Sequence, residues 1–224
     1  MRAVLFDLDG TLIDSAPDIA AALNVVLAEA GRAPLTVPDV RMLIGEGVAR
    51  LVEKAFVLSG SLPEAGALKA SVARMHELYN ARLTVETVLL PAARDSISWL
   101  HRNGIKTGVV SNKPNDLTAQ ILDHFDLTSS LDVVQGAEDH LPKKPAPDML
   151  FSAIDKAGAR RNATVFVGDS AVDVAAARAA GLPVILVRGG YTTRPVDELG
   201  ADRVIDSLHY LSEALEDFLE PAAA

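Results

Sequence analysis

The fold of this chain is decided near its amino terminus by residues 3–11, which read AVLFDLDGT. The four apolar residues 3–6 have the length and composition of a buried parallel strand. The chain then turns polar, with Asp7 and Asp9 placed before Gly10, a typical turn residue. In open parallel sheets, ligands bind beyond the carboxyl ends of the strands. This stretch therefore predicts the first strand of such a sheet, with two carboxylates at its binding edge.

Similar apolar runs follow along the chain and alternate with helical patterns. Strands are predicted at residues 105–110, 164–167 and 183–187, with weaker candidates at residues 131–134 and 203–205. Apolar periodicity and closing glycines predict helices at residues 93–102, 116–124, 148–157 and 172–180. Alternating strands and helices are typical of the α/β class. We therefore expect a doubly wound parallel sheet.

A long stretch without a convincing strand interrupts this alternation after the first strand. About 90 residues pass before the next one, far beyond a normal connection. Residues 15–18 and 36–39 each resemble a capping box with a proline near the helix start, and helical periodicity continues over residues 48–58 and 65–83. These signals predict a small all-helical insert. The predicted boundaries are 16–88 for the insert and 1–15 with 89–224 for the α/β core.

The composition restricts the possible partners. The chain has 224 residues, of which 49% are hydrophobic and 23% charged, as in a globular protein. Its net charge of −9 repels phosphate backbones and anionic lipids, so we expect neither nucleic acid nor a membrane as partner. The absence of cysteine excludes disulfides, thiolate metal sites and thiol nucleophiles. Without a signal peptide or an apolar run of about 18 residues, the sequence predicts a cytoplasmic protein.

The predicted strands and one loop deliver polar residues to the same edge of the sheet. Converging carboxylates repel one another unless a cation lies between them. An all-oxygen set without Cys or His favours a hard cation, and we predict Mg²⁺. Asp7 and Asp169 are the expected direct ligands, and Asp173 would orient a water or a ligand. The polar residues expected at this edge of the sheet are Asp7, Asp9, Ser111, Asn112, Lys144, Asp169 and Asp173.

A bound phosphate would account for the remaining polar residues. The hydroxyl of Ser111 and the backbone N–H of Asn112, expected at a helix entry, would bind the anion. Lys144 would neutralise charge on a phosphoryl group in transfer. Because no thiol and no Ser-His-Asp order is available, Asp7 is the expected nucleophile, and it would form an aspartyl-phosphate. Asp9 would protonate the leaving oxygen and later deprotonate the attacking water.

Four motifs of this chain resemble those of the haloacid dehalogenase superfamily, in order and spacing. They are residues 7–12 (DLDGTL), 111–112 (SN), 144–147 (KPAP) and 168–173 (GDSAVD), and the insert is similar to that family's cap domain. The resemblance implies hydrolysis of a small phosphomonoester, with the cap closing over the site. It also implies that the backbone carbonyl of Asp9 binds the metal. Thr11 of the first motif is a candidate substrate-binding residue.

Within that superfamily, residues 7–18, 44–47, 111–113 and 190–191 look most like phosphoglycolate phosphatases, which implies 2-phosphoglycolate as substrate. The segment Gly45-Glu46-Gly47 is either a plain helix-helix turn or part of substrate recognition, with Gly45 and Gly47 as candidates. The chain departs from the subgroup at residues 89–92 and 136–139, which affects hinge and loop geometry.

Other functions remain open at this point. A sugar phosphomutase of the β-phosphoglucomutase type uses the same pair of aspartates, and a pyrophosphatase or a sugar-phosphate phosphatase of the same family is a further alternative. Outside enzymes, a signalling switch also phosphorylates an aspartate beside Mg²⁺. A carboxylate at Asp9 argues against the switch, because it would hydrolyse the phosphoaspartate. The partner in every enzymatic case is a small phosphorylated metabolite, while monomer and homodimer are not distinguished.

Overall fold

A computed structural model describes residues 1–218 and confirms the α/β class. Six parallel strands form one sheet in the order β5-β4-β1-β6-β7-β8, and β2 and β3 form a separate antiparallel pair. The strands are β1 (Ala3–Phe6), β2 (Ile13–Asp14), β3 (Val88–Leu89), β4 (Lys106–Pro114), β5 (Val133–Ala137), β6 (Thr164–Gly168), β7 (Val184–Val187) and β8 (Arg203–Ile205). From β1 the chain builds outward through β4 to β5 and then crosses back to β6 on the other side of β1, so the end of β1 lies at the switch point where such sheets bind ligands.

Helices cover both faces of the sheet. They are α1 (Ala16–Glu29), α2 (Val37–Arg41), α3 (Val48–Leu58), α4 (Ala65–Asn80), α5 (Ala93–Arg102), α6 (Asn115–His124), α7 (Asp148–Ala157), α8 (Ala171–Ala180) and α9 (Leu211–Glu216). Alternate residues of β1 point to opposite faces: Val4 and Phe6 join the apolar cluster of α5, α6 and α9, whereas Leu5 joins that of α7 and α8. The predicted doubly wound arrangement is therefore confirmed. The last residues of the predicted core, 219–224, lie outside the described part of the chain.

The predicted insert consists of helices α1 to α4, which lie between β2 and β3. This antiparallel pair, with Ile13 opposite Leu89 and Asp14 opposite Val88, joins the outgoing and returning chain and was not predicted. One apolar cluster runs without interruption from the sheet into the insert, where it includes Leu23 of α1. Because the insert shares this core with the sheet, the division at residues 16 and 88 stays a prediction.

The two predicted capping boxes have different outcomes. At α2, the Thr36 hydroxyl accepts from the backbone N–H of Asp39 and the Asp39 carboxylate accepts from that of Thr36, which confirms the box. At α1, Ser15 makes no capping hydrogen bond, so that prediction is wrong. Its expected partner Asp18 is fully buried and accepts hydrogen bonds from the backbone N–H groups of Glu86 and Thr87. A tertiary contact between the first turn of α1 and the segment before β3 thus takes the place of the local cap.

Strand β4 is longer than predicted and alters one expected role. It runs to Pro114, and α6 begins only at Asn115. Ser111 and Asn112 therefore lie in extended backbone, and the expected placement of the Asn112 N–H at a helix entry is wrong. Strand β5, Val133–Ala137, also lies further along the chain than the predicted residues 131–134.

None of the helices in residues 1–218 combines the length and apolar character needed to cross a membrane. The longest of these described helices, α4, has 16 residues, fewer than the roughly 20 that span a bilayer. The expected cytoplasmic location stays a prediction.

Candidate active site

Three buried carboxylates meet at the carboxyl edge of the sheet. Asp7 follows β1, Asp169 follows the adjacent strand β6, and Asp173 lies in the first turn of α8. Carboxylate oxygens of the three residues all lie within 4.8 Å of one another. The pairing of Phe6 with Val167 aligns the ends of the two strands, so the following residues face one another. The structure therefore brings the predicted metal-binding aspartates together.

Glycines allow the backbone to pass close to these carboxylates. Gly10 has a φ of 89°, and a Cβ there would lie 2.5 Å from Oδ2 of Asp169. A Cβ at Gly190 would overlap the Asp169 side chain. Any side chain at these two positions would displace Asp169, so the lack of space requires glycine at both. At Gly10 the positive φ also favours glycine. Thr11 also supports this carboxylate, because its buried hydroxyl donates to Asp169 at 3.1 Å, while its expected role in substrate binding stays a prediction.

Lys144 lies among the carboxylates, as the sequence predicts. Its ammonium donates to Asp7 Oδ1 and to Asp173 Oδ1, both at 2.8 Å, and its side chain is only 2% exposed. The carboxamide of Asn112 fixes its backbone: Oδ1 accepts from the Lys144 N–H at 2.9 Å, and Nδ2 donates to the Lys144 carbonyl at 2.8 Å. Asn112 Nδ2 also donates to the carbonyl of Gly45 in the insert. The side chain of Asn112 is thus a positioning group, a role that its sequence position did not reveal.

The cluster carries an excess of negative charge. Burial raises the pKa of Asp7 from an ordinary 3.8 to about 7, with Lys144 opposing this rise and Asp173 adding to it. Burial and the charges of Asp173 and Asp7 hold the pKa of Asp169 well above its ordinary range. Burial alone would lower the pKa of Lys144, but the two carboxylates outweigh it and raise that pKa. One ammonium does not balance three carboxylates, so the site favours binding of a further cation.

Asp9 has partners of its own outside this cluster. Its Oδ1 accepts from the Ser15 hydroxyl at 2.5 Å and from the Lys113 ammonium at 2.7 Å. Lys113 also donates to the Tyr79 hydroxyl at 2.6 Å, so a hydrogen bond joins α4 of the insert to the buried ion pair of Lys113 and Asp9 at the end of β4. Sequence reasoning placed Lys113 in the motif at residues 111–113 without giving it a role, and it missed Tyr79. The available signal was strand alternation, which places Lys113 on the same face of β4 as Ser111.

A cavity lies between this edge of the sheet and the insert. Its volume is about 40 Å³, room for a few waters or a small ligand. The sheet side is polar, and the side formed by the insert is largely apolar, with Tyr79 the hydroxyl-bearing side chain there. The predicted residues Gly45 and Gly47 line it. The other lining residues are Asp7, Asp9, Ser111, Asn112 and Lys113 from the core and Ile19, Ile44, Val48, Leu51 and Met75 from the insert.

Comparison with known proteins agrees with this geometry. Residues 4–187 match the model of the haloacid dehalogenase-like hydrolase family. The chain belongs to this family. A phosphoglycolate phosphatase of Caulobacter vibrioides is 38% identical over 204 residues, which cover 91% of this chain and 86% of that protein. One from Pseudomonas fluorescens is also 38% identical, over 226 residues covering 99% of this chain and 81% of its own.

A solved structure shows the same fold. The crystal structure of a predicted phosphoglycolate phosphatase from Haemophilus somnus superposes with a TM-score of 0.87 at 26% identity, and covers 96% of this chain and 97% of that one. The chain is therefore a phosphatase of the haloacid dehalogenase-like family, similar in sequence to phosphoglycolate phosphatases. The described residues also fit Mg²⁺, the ion expected in this family. Three buried carboxylates offer oxygen ligands, and the single ammonium among them leaves their negative charge unbalanced.

The metal-free hydrolase is expected to lose stability as the pH rises. Folded Asp7 keeps its proton up to about pH 7, whereas the unfolded chain releases it near 3.8. Folding therefore takes up a proton between these values, and the free energy of unfolding should fall by a few kcal/mol from about pH 5 to 8. Urea unfolding in EDTA at both pH values measures this. Asp7→Asn should flatten the profile, and a wild-type stability that rises with pH would contradict the charge excess.

Proposed function

We propose that this phosphatase hydrolyses 2-phosphoglycolate in a Mg²⁺-dependent reaction through an aspartyl-phosphate on Asp7. The observation that carries the proposal is the buried cluster of Asp7, Lys144, Asp169 and Asp173 beside a small cavity. The names of the relatives from Caulobacter and Pseudomonas support the choice of substrate.

The residues of the cluster divide into metal ligands and supports. Asp7 and Asp169 would hold Mg²⁺ with the backbone carbonyl of Asp9, and the ion would add positive charge beside the transferred phosphoryl group. Asp173 has other partners: Oδ1 accepts from Lys144, and Oδ2 accepts from the backbone N–H groups of Asp169 and Ser170. We therefore assign Asp173 to positioning Lys144 and the loop that carries Asp169, with a contact to the metal through water.

Chain residues account for each bond change in the proposed reaction. The ester phosphate would bind to Ser111 and Lys144, with its phosphorus in line with an oxygen of Asp7. Asp7 forms the new P–O bond while the bond to the glycolate oxygen breaks, and Asp9 gives that oxygen a proton. Water then attacks the phosphorus of the aspartyl-phosphate, and Asp9 takes a proton from this water. The bond between Asp7 and phosphorus breaks, which releases inorganic phosphate and regenerates Asp7.

The cavity favours a small acid over a sugar. The several hydroxyls of a bound sugar would face Ile19, Val48, Leu51 and other apolar side chains of the insert, where too few polar partners exist to replace their hydrogen bonds to water. This disfavours the mutase and the sugar-phosphate phosphatase. The Asp9 carboxylate beside Asp7 disfavours a long-lived phosphoaspartate and hence a signalling switch.

We also propose that the insert, residues 16–88, acts as a cap that opens for substrate entry. Opening would break two hydrogen bonds beside the cavity, in which Asn112 donates to the Gly45 carbonyl and Lys113 donates to the Tyr79 hydroxyl. A Cβ at Gly47 would lie 3.3 Å from the Asn112 carbonyl, so this turn approaches the core closely. The short strands β2 and β3 are the natural hinge, since both connections pass through them.

Phosphate release from a panel of esters tests the proposal. With Mg²⁺, 2-phosphoglycolate should have the highest kcat/KM, by at least about tenfold over glucose 6-phosphate, β-glucose 1-phosphate and pyrophosphate. EDTA should abolish release, and restored Mg²⁺ should recover it. Preference for a hexose phosphate, or its conversion to an isomer, would overturn the assignment of substrate. Undiminished release in EDTA would overturn the role of the metal.

A further inference from the structure

We propose that Lys113, held by Tyr79, binds the carboxylate of the substrate and so makes the enzyme specific for small phosphorylated acids. This inference rests on the proposed function and adds the residue that recognises the non-reacting end of the substrate. The observation behind it is an uneven distribution of charge around the cavity.

The cavity has two chemically different ends. At the sheet edge, Asp7 and Ser111 line it, and Lys144 is bonded to Asp7, so the phosphate has its partners there. Toward the insert, the wall is formed by apolar residues such as Ile44 and Met75. A second anionic group placed against that wall would lose its hydration without compensation. A substrate with a carboxylate therefore needs a cation at this end.

Lys113 is the one cationic side chain among the described residues that line the cavity. Its side chain is 4% exposed, and its ammonium forms a buried ion pair with Asp9 Oδ1 at 2.7 Å. An ammonium has three N–H donors. Within residues 1–218 two of these have acceptors, Asp9 Oδ1 and the Tyr79 hydroxyl. The third donor is free for a ligand carboxylate.

Tyr79 fixes the direction of this ammonium. Its hydroxyl accepts from Lys113 at 2.6 Å, and the ammonium lies 4.7 Å from the centre of its ring. Tyr79 belongs to α4 of the insert, whereas Lys113 belongs to β4 of the core. The carboxylate site is therefore complete only while the insert rests on the core, which couples binding of an acid to closure over the phosphate.

The same contact gives the substrate a second effect. Lys113 donates to Oδ1 of Asp9 and holds this carboxylate in place. Asp9 is the residue proposed to protonate the leaving oxygen. A substrate carboxylate on the third donor shares the positive charge of this ammonium and so weakens its hold on Asp9, which can then turn toward the ester. An ester that lacks the carboxylate leaves Asp9 held. Selectivity for acids should therefore be seen in kcat as well as in KM.

Steady-state kinetics with 2-phosphoglycolate and ethyl phosphate test this inference, since the two esters differ in the carboxylate. Wild type should prefer 2-phosphoglycolate by about 100-fold in kcat/KM, and Lys113→Met should reduce this ratio to about threefold or less. Lys113→Arg keeps the charge and should retain most of the ratio. Tyr79→Phe should reduce it several-fold, and it serves as the test if Lys113→Met does not fold. Lys106→Met, at the opposite end of β4, is the matched control and should leave the ratio unchanged.

The outcomes separate this inference from the proposed function. If wild type hydrolyses 2-phosphoglycolate with Mg²⁺ and prefers it, but Lys113→Met and Tyr79→Phe retain the full ratio, the role of Lys113 is overturned and the proposed function stands. If wild type makes no distinction between the two esters, both the substrate and the role of Lys113 are overturned. Loss of the ratio in Lys113→Met together with its retention in Lys113→Arg supports recognition by charge.

Discussion

Asp7→Asn is expected to reduce kcat for 2-phosphoglycolate by at least about 10³-fold, the largest effect of any substitution in this chain. An amide at this position has no anionic oxygen with which to attack phosphorus, so no aspartyl-phosphate forms. The fold should persist, because the amide carbonyl still accepts from Lys144 and one member of a repelling cluster is removed. Phosphate release, with urea unfolding in EDTA at about pH 8, measures both effects.

The matched control is Asp155→Asn, which makes the same change on the exposed side of α7. It should retain wild-type turnover. If Asp7→Asn kept more than about a tenth of the wild-type kcat, Asp7 would not be the nucleophile. If it instead unfolded at moderate temperature, the carboxylate would be needed for stability, contrary to the charge excess found at this edge.

Lys144→Met is expected to lower both activity and stability. The change leaves Asp7 and Asp173 without the ammonium that lies 2.8 Å from each. Removing one partner of a buried ion pair typically costs about 3–5 kcal/mol, and the free energy of unfolding without metal should fall by about that amount. Loss of the positive charge beside the phosphoryl group should reduce kcat by about 10²–10³-fold. Mg²⁺ should restore part of the stability, because it also balances the carboxylates.

The neighbouring residue supplies the control. Lys143 is exposed, and Lys143→Met removes the same charge one position away in the same loop. The free energy of unfolding should stay within about 0.5 kcal/mol of the wild-type value, and turnover should stay near that of wild type. Equal losses in the two variants would show that general electrostatic attraction of the anionic substrate, and not the buried contact, explains the effect.

The sequence located most of the site because its residues directly follow strands. Apolar runs identify β1 and β6, and parallel pairing then brings the residues that follow them, Asp7 and Asp169, to the same edge of the sheet. Lys144 was identified from the proline-bracketed loop, and the structure places it between two of the carboxylates. The strand β5, the end of β4 and the antiparallel pair β2-β3 were misjudged or missed, because short strands are defined by their partners more than by their own composition.

Sequence patterns failed where one side chain had a choice of partners. Ser15 has the local signature of a helix cap, but its hydroxyl donates to the charged carboxylate of Asp9. Such charge-assisted hydrogen bonds are stronger than neutral ones. The Thr36 hydroxyl also donates to a carboxylate, but that carboxylate belongs to Asp39 in the first turn of α2, and the hydroxyl still accepts from the Asp39 N–H. The local rule therefore held only where no buried tertiary contact competed with it.

The sequence by itself determined the order of strands and helices, the helical insert and the carboxylates at the sheet edge, since these follow from hydrophobic periodicity and from what comes after each strand. Only the tertiary structure decided that Asn112 holds Lys144, that Asp18 ties the first turn of α1 to the segment before β3, and that Tyr79 reaches Lys113. These contacts join residues 32 to 69 positions apart. No local pattern encodes such pairs, because they depend on how the insert packs on the sheet.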